Sequence, residues 1–127
     1  MNRTPMKRRY TATGPAADVI EAVYERAQHS CELCTAAVGP QRGMDHHLHH
    51  RRPRRAGGSK RPDTNLPSNL LLLCPTCHEV VESRRLAGYE NGWILRSEAK
   101  PAEVPVTIWK GTRQVYLTDD GRYRWLA

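Results

Sequence analysis

The sequence predicts a small α+β domain braced by a metal, and three observations lead there. With 127 residues, no phenylalanine and 6% aromatic content, the chain has little apolar material for a core of its own. Four cysteines stand in two C-x-x-C pairs, Cys31 with Cys34 and Cys74 with Cys77. Helical periodicity leads into the first pair and follows the second, and short strand-like runs fill the last third.

Taken in order, residues 1–14 are polar and basic and read as a flexible tail. Over residues 16–29 the apolar positions Val19, Ile20, Val23, Tyr24 and Ala27 recur at helical spacing, which predicts one amphipathic helix ahead of the first cysteine pair. His29 follows that helix, where a cation would complement the helix dipole. Residues 39–68 are rich in Gly, Pro, Arg and His, and "GGSKRPDTNLPSN" reads as loop. "NLLLLCPTCHEVVESRRLAG" passes from a buried apolar run through the second pair into a helix that Gly88 is expected to end. "GWILRS", "VPVTIW" and "QVYLTDDGRYRWL" read as short strands, with Asp120-Gly121 as a hairpin signal. Trp93, Trp109 and Trp125 are expected to pack the small core. This divides the chain into a tail (1–14), a central unit holding both cysteine pairs (15–90), and a short-strand extension (91–127) packed on the same unit.

No apolar run reaches the roughly 18 residues of a membrane span, and the N-terminus lacks the apolar stretch of a secretory signal, so a cytoplasmic protein is expected. In a reducing compartment, two C-x-x-C knuckles favour a four-thiolate structural Zn2+ site over two disulfides, with free or redox-active thiols as the alternative. The net charge of +7 is uneven: residues 1–61 carry 12 Lys/Arg against 5 Asp/Glu, leaving 8 against 8 of the 20 and 13 for the remainder. A basic half of this kind suits a polyphosphate partner, and no basic amphipathic helix argues for a membrane.

Between the knuckles lies "MDHHLHHRRPRRAGGSKRP", with four of the six histidines. His50 precedes Pro53 by three residues, Pro53 precedes Gly57-Gly58 by four, and Asn69 precedes His78 by nine. These spacings resemble the HNH endonucleases with a ββα-metal (His-Me finger) site and a four-cysteine zinc scaffold. The register singles out the pair His49-His50, and Asp45-His46 is the lesser match because its spacing to Pro53 and the glycines fails. From residue 20 to 110 the chain is similar to small HNH proteins of tailed phages, often encoded beside terminase genes.

The resemblance implies a metal-dependent DNA endonuclease with His50 as general base and His49 and His78 holding a catalytic divalent metal, Mg2+, Mn2+, Ni2+ or Zn2+. Many relatives carry His where Glu82 stands, four residues after His78 and on the same helical face, so Glu82 is the expected third ligand or else a solvated surface acid. Asn69 is expected to tie the loop back and orient the base. The chemistry suits these types: a neutral imidazole can take a proton from water near neutral pH, and a cation can offset charge developing on a phosphate. Adjacent strand residues face opposite ways, so His49 and His50 are expected at a strand end, with Pro53 stopping regular pairing. Arg51, Arg52, Arg54, Arg55, Lys60 and Arg61 read as phosphate contacts on double-stranded DNA, and the basic tail as a further contact. Terminase subunits are the implied partners. A non-catalytic, zinc-stapled DNA-binding or assembly module would equally explain the cysteines and the charge, though not the register of the histidines.

Overall fold

In a computed structural model of the protein, the described residues are 14–53 and 61–126. The tail, Arg54, Arg55, Gly57-Gly58 and Lys60 lie outside them. Helix α1, Ala17–Ala27, has Asp18 in its first turn, where a carboxylate complements the positive helix end. Its apolar face, with Val23 fully buried, packs against Leu48, Leu70 and Leu72. The helix ends where Gln28 turns left-handed (φ 54°) and donates its N–H to the carbonyls of Glu25 and Tyr24. The first cysteine knuckle follows.

Strands β1 (His47–His50) and β2 (Leu70–Leu73) pair antiparallel, with His49 opposite Leu71 and His50 opposite Leu70. All four leucines of β2 are fully buried, because the ribbon is covered on both faces. Leu70 and Leu72 meet α1, whereas Leu71 and Leu73 join Cys31, Leu33, Val81, Ile94 and the C-terminal strands in a second cluster. The same alternation sends Leu48 to the α1 side and His49 to the other.

Helix α2, Pro75–Ser83, starts at the second knuckle: Cys74 is its N-cap, its Sγ accepts the Cys77 N–H, and Pro75 sits where no N–H is needed. The chain breaks at Arg84 and resumes as a short helix α3, Arg85–Glu90. Gly88 therefore does not end the helix. It lies inside α3, where a Cβ would come within 2.6 Å of Ile94 Cδ1, so it is a packing glycine. The chain instead turns at Gly92 (φ +74°), where a Cβ would meet the Pro105 carbonyl at 2.1 Å.

"GWILRS" is likewise not a strand. Its backbone is spent elsewhere, the N–H groups of Trp93 and Ile94 on the Gly88 carbonyl and that of Leu95 on the Arg51 carbonyl. Strands β3 (Val106–Ile108), β4 (Arg113–Leu117) and β5 (Tyr123–Trp125) form an antiparallel sheet, with Val106 opposite Val115 and Val115 opposite Trp125. Asp120 and Gly121 (φ +92°) occupy the β4–β5 turn. Trp93 and Trp109 pack against the core, whereas Trp125 is half exposed beside Trp109 and Tyr123.

A buried polar knot joins these parts. Glu32, 1% exposed, accepts two hydrogen bonds from Arg26, one from the Leu72 N–H and one from the Tyr123 hydroxyl. It thus ties α1, the first knuckle, β2 and β5 together, and every acceptor has a donor, which is what makes a buried carboxylate tolerable. Among the described residues, no helix is long and apolar enough to cross a membrane.

Candidate functional site

Among the described residues, two groups of donor side chains come together. In the first, the sulfurs of Cys31, Cys34, Cys74 and Cys77 all lie within 4.8 Å of one another. The Cys34 and Cys74 sulfurs are 3.8 Å apart, far beyond a disulfide bond and close to the edge of about 3.8 Å that a tetrahedron with 2.3 Å Zn–S bonds requires. The Cys34 and Cys77 amides point at Cys31 Sγ and Cys74 Sγ, as expected of turns built to present thiolates. Burial, and then Cys31 beside it, pushes the Cys77 thiol well above its usual range, and burial raises Cys31 also. Four touching sulfurs become thiolates together only around a cation, so the donor set fits a structural zinc.

The second group is His49 from β1 with His78 and Glu82 from α2, whose candidate ligand atoms also lie within 4.8 Å of one another. Glu82 Oε2 is 3.6 Å from His49 Nδ1 and 3.7 Å from His78 Nε2, and the i,i+4 spacing puts both α2 residues on the face turned to β1. His49 is 5% exposed, and its Nε2–H donates to the Trp93 carbonyl at 2.8 Å. That bond fixes the tautomer and leaves the Nδ1 lone pair directed at Glu82, the pattern of an imidazole prepared for a metal. Burial lowers the pKa of His49 to about 4, and burial with His47 beside it lowers that of His78, so both rings are held in the neutral form a metal needs. The donors, two neutral imidazoles and a carboxylate, fit a divalent cation. His47 stacks on His78 with ring centroids 4.4 Å apart.

His50, the last residue of β1, opens with His49, Pro53, His78, Glu82 and Arg85 onto one cleft of about 300 Å³. Its Nε2–H donates to Asn65 Oδ1 at 2.8 Å, which makes Nδ1 the nitrogen able to accept a proton. Asn69 is fully buried and is not among the residues lining the cleft. Its Oδ1 accepts the Arg52 N–H, and its Nδ2 donates to the carbonyls of Arg52 and Thr64. It clamps the loop that carries Asn65 to the backbone just after His50.

The structure overturns two of the expected phosphate contacts. Arg51 is 0% exposed and donates to the carbonyls of Gly92, Ser68, Pro101 and Val104. Burial, then Arg26, lowers its pKa to about 9, which still leaves it charged at neutral pH. Arg52, 2% exposed, is engaged by Asp63 and the Ala99 carbonyl, and this pairing lowers the Asp63 pKa. Both arginines hold the C-terminal segment against the end of β1. Arg61 is exposed and donates to the Ser97 carbonyl.

His46 is also structural: Nδ1 donates to the Gly39 carbonyl and Nε2 accepts from the Tyr24 hydroxyl. Sequence reasoning missed Asn65, Trp93 and Arg85 as members of the site. Asn65 stood in a stretch legible only as loop, and a backbone carbonyl such as that of Trp93 leaves no sequence signal.

A two-stranded ribbon and a helix gathering His, His and Glu, next to a four-cysteine cluster, define a small ββα-metal architecture. The family model for HNH endonuclease matches residues 31–84, from the first knuckle through the end of α2. No curated protein and no solved structure matches the chain.

Proposed function

We propose that the protein is a metal-dependent endonuclease that hydrolyses phosphodiester bonds of double-stranded DNA. The observation that carries this reading is the convergence of His49, His78 and Glu82 beside His50 in one cleft. His49 Nδ1, His78 Nε2 and Glu82 Oε2 would hold a divalent cation, Mg2+, Mn2+, Ni2+ or Zn2+. When bound there, it supplies positive charge to the phosphate and the departing oxygen.

The other steps fall to the protein's own groups. His50 Nδ1 takes a proton from the attacking water as the water oxygen bonds to phosphorus and the P–O bond to the leaving oxygen breaks. Asn65 Oδ1, holding Nε2–H, keeps the ring in the accepting tautomer and stabilises the imidazolium that results. Asn69 holds the loop that positions Asn65. The tailed-phage resemblance supports a setting in terminase-dependent DNA packaging.

Plasmid nicking with added Mg2+, Mn2+ or Ni2+ tests this reading, with wild type set against His50→Ala and His78→Ala. Wild type cuts, and each variant loses about 10²-fold or more of its rate. Equal cutting by wild type and His50→Ala would sink the base assignment. Zinc and DNA binding by wild type without cutting in any metal would favour a binding module.

A further inference from the structure

With Arg51 and Arg52 consumed inside the fold, positive charge at the cleft must come from other residues. Arg85 lines the cleft with His50 and Glu82, and it is exposed. Its Nη2 donates to the Tyr89 hydroxyl at 3.2 Å, and its guanidinium carbon lies 5.7 Å from the Tyr89 ring centre. The Arg96 guanidinium carbon lies 4.3 Å from the same centre.

Arg96 reaches that position because the Leu95 N–H is bonded to the Arg51 carbonyl, one residue beyond His50, while Ile94 lines the cleft. Arg61 is anchored next door, on the Ser97 carbonyl. Two exposed guanidinium groups thus share one tyrosine, and one of them, Arg85, lines the cleft. Among the described residues, neither Arg85 nor Arg96 lies in an ion pair. Like charges gathered on a ring, with donors left over and outside any ion pair among the described residues, suit a polyanion running past the cleft.

We infer that Arg85, Tyr89 and Arg96 form a phosphate-binding surface that grips the backbone of a DNA duplex beside the scissile bond. The inference rests on the nuclease reading and assigns its grip to α3 and the segment after it, in place of Arg51 and Arg52. Tyr89 holds the two guanidinium groups in place, and the phosphates supply the missing anions.

The test measures binding of a short fluorescein-labelled duplex at KCl concentrations from about 50 to 200 mM. A His50→Ala background prevents cutting. Adding Arg85→Gln and Arg96→Gln should weaken binding about tenfold or more at low salt. It should also make the slope of log K against log salt shallower by about 2, one for each lost phosphate contact. Arg96→Gln alone should account for about 1 of this.

The control pair is Arg113→Gln with Arg124→Gln. These arginines also lie over aromatic rings, but on the C-terminal sheet, and they remove the same charge. That pair should keep the parent slope. An unchanged slope in Arg85→Gln/Arg96→Gln at full zinc content overturns the surface, and so does an equal loss in the control pair, which would mark a diffuse charge effect. Wild-type protein is assayed for plasmid cutting in parallel. Cutting with an unchanged slope overturns the surface alone, whereas neither cutting nor binding overturns the nuclease reading along with it.

Discussion

His50 donates its Nε2–H to Asn65 Oδ1 at 2.8 Å, and the partner comes from a loop fifteen residues further on. A histidine at a strand end keeps rotational freedom about χ1 and χ2, and an acceptor on Nε2–H fixes its tautomer and restrains its aim. Asn65→Ala should lower kcat about 10- to 100-fold with KM and zinc content unchanged, because the base remains present but no longer held. Steady-state nicking kinetics read this out, and an unaltered kcat would show that His50 is oriented by other groups.

Asn69 acts one layer deeper. Truncating it strands the Arg52 N–H and the carbonyls of Arg52 and Thr64 in a fully buried place. Each orphaned group costs about 1–3 kcal/mol, so with three of them Asn69→Ala should lose about 3 kcal/mol or more of stability in denaturant melts. The variant should also lose kcat, since the released loop carries Asn65. Asn69→Ala in the Asn65→Ala background should lower kcat by much less than it does alone, because both changes act on His50 by the same route.

Arg51 offers the opposite contrast. Its guanidinium replaces water with four carbonyl oxygens, so Arg51→Met removes the cation and leaves those carbonyls bare. The expected loss is about 3 kcal/mol or more, seen as a lowered Tm of the zinc-loaded protein. At temperatures where the variant is still folded, the salt dependence of DNA binding should match wild type. A shallower slope would return Arg51 to the DNA interface.

Local spacing made part of this site legible. The i,i+4 relation of His78 and Glu82 and the tight C-x-x-C turns are fixed within a few residues, so the sequence already groups them. The helix break at Arg84 and the irregular course of residues 92–97 were not legible, because contacts far away in the chain decide them: Gly88 yields to Ile94, and Leu95 bonds to Arg51. The arginines misled for the same reason. Nothing in "HHRRPRR" tells a buried cation clamping distant carbonyls from one facing solvent, and only the burial of the C-terminal segment over β1 separates them.

Cys74 should couple folding to metal, since its sulfur both belongs to the four-cysteine cluster and caps the N-terminus of α2. Cys74→Ser should lose bound zinc and unfold, because a hydroxyl keeps the cap but is a poor zinc ligand. Chelation of the wild type should produce the same loss of helical circular dichroism, reversible on adding zinc. A folded Cys74→Ser with full zinc content would count against the cluster as the domain's staple.

Tyr123 ties the C-terminal sheet to the buried Glu32, and this tie should appear as a pH dependence. Burial, reinforced by the Glu32 carboxylate, raises its hydroxyl well above the ordinary tyrosine value. The folded protein keeps the Tyr123 proton at a pH where the unfolded chain, with a tyrosine pKa near 10, gives it up. The native state then binds more protons, so stability falls as pH rises above about 10, by about 1.4 kcal/mol per pH unit for this one group. Tyr123→Phe should cost about 1–2 kcal/mol at neutral pH through the lost hydrogen bond to Glu32. Because the variant lacks the titration, its deficit relative to wild type should shrink above pH 10. Denaturant melts of both zinc-loaded proteins across that range measure the difference. Parallel curves would mean that Tyr123 ionises in the folded protein as it does in the unfolded chain, and that the sheet is held to Glu32 by something other than this proton.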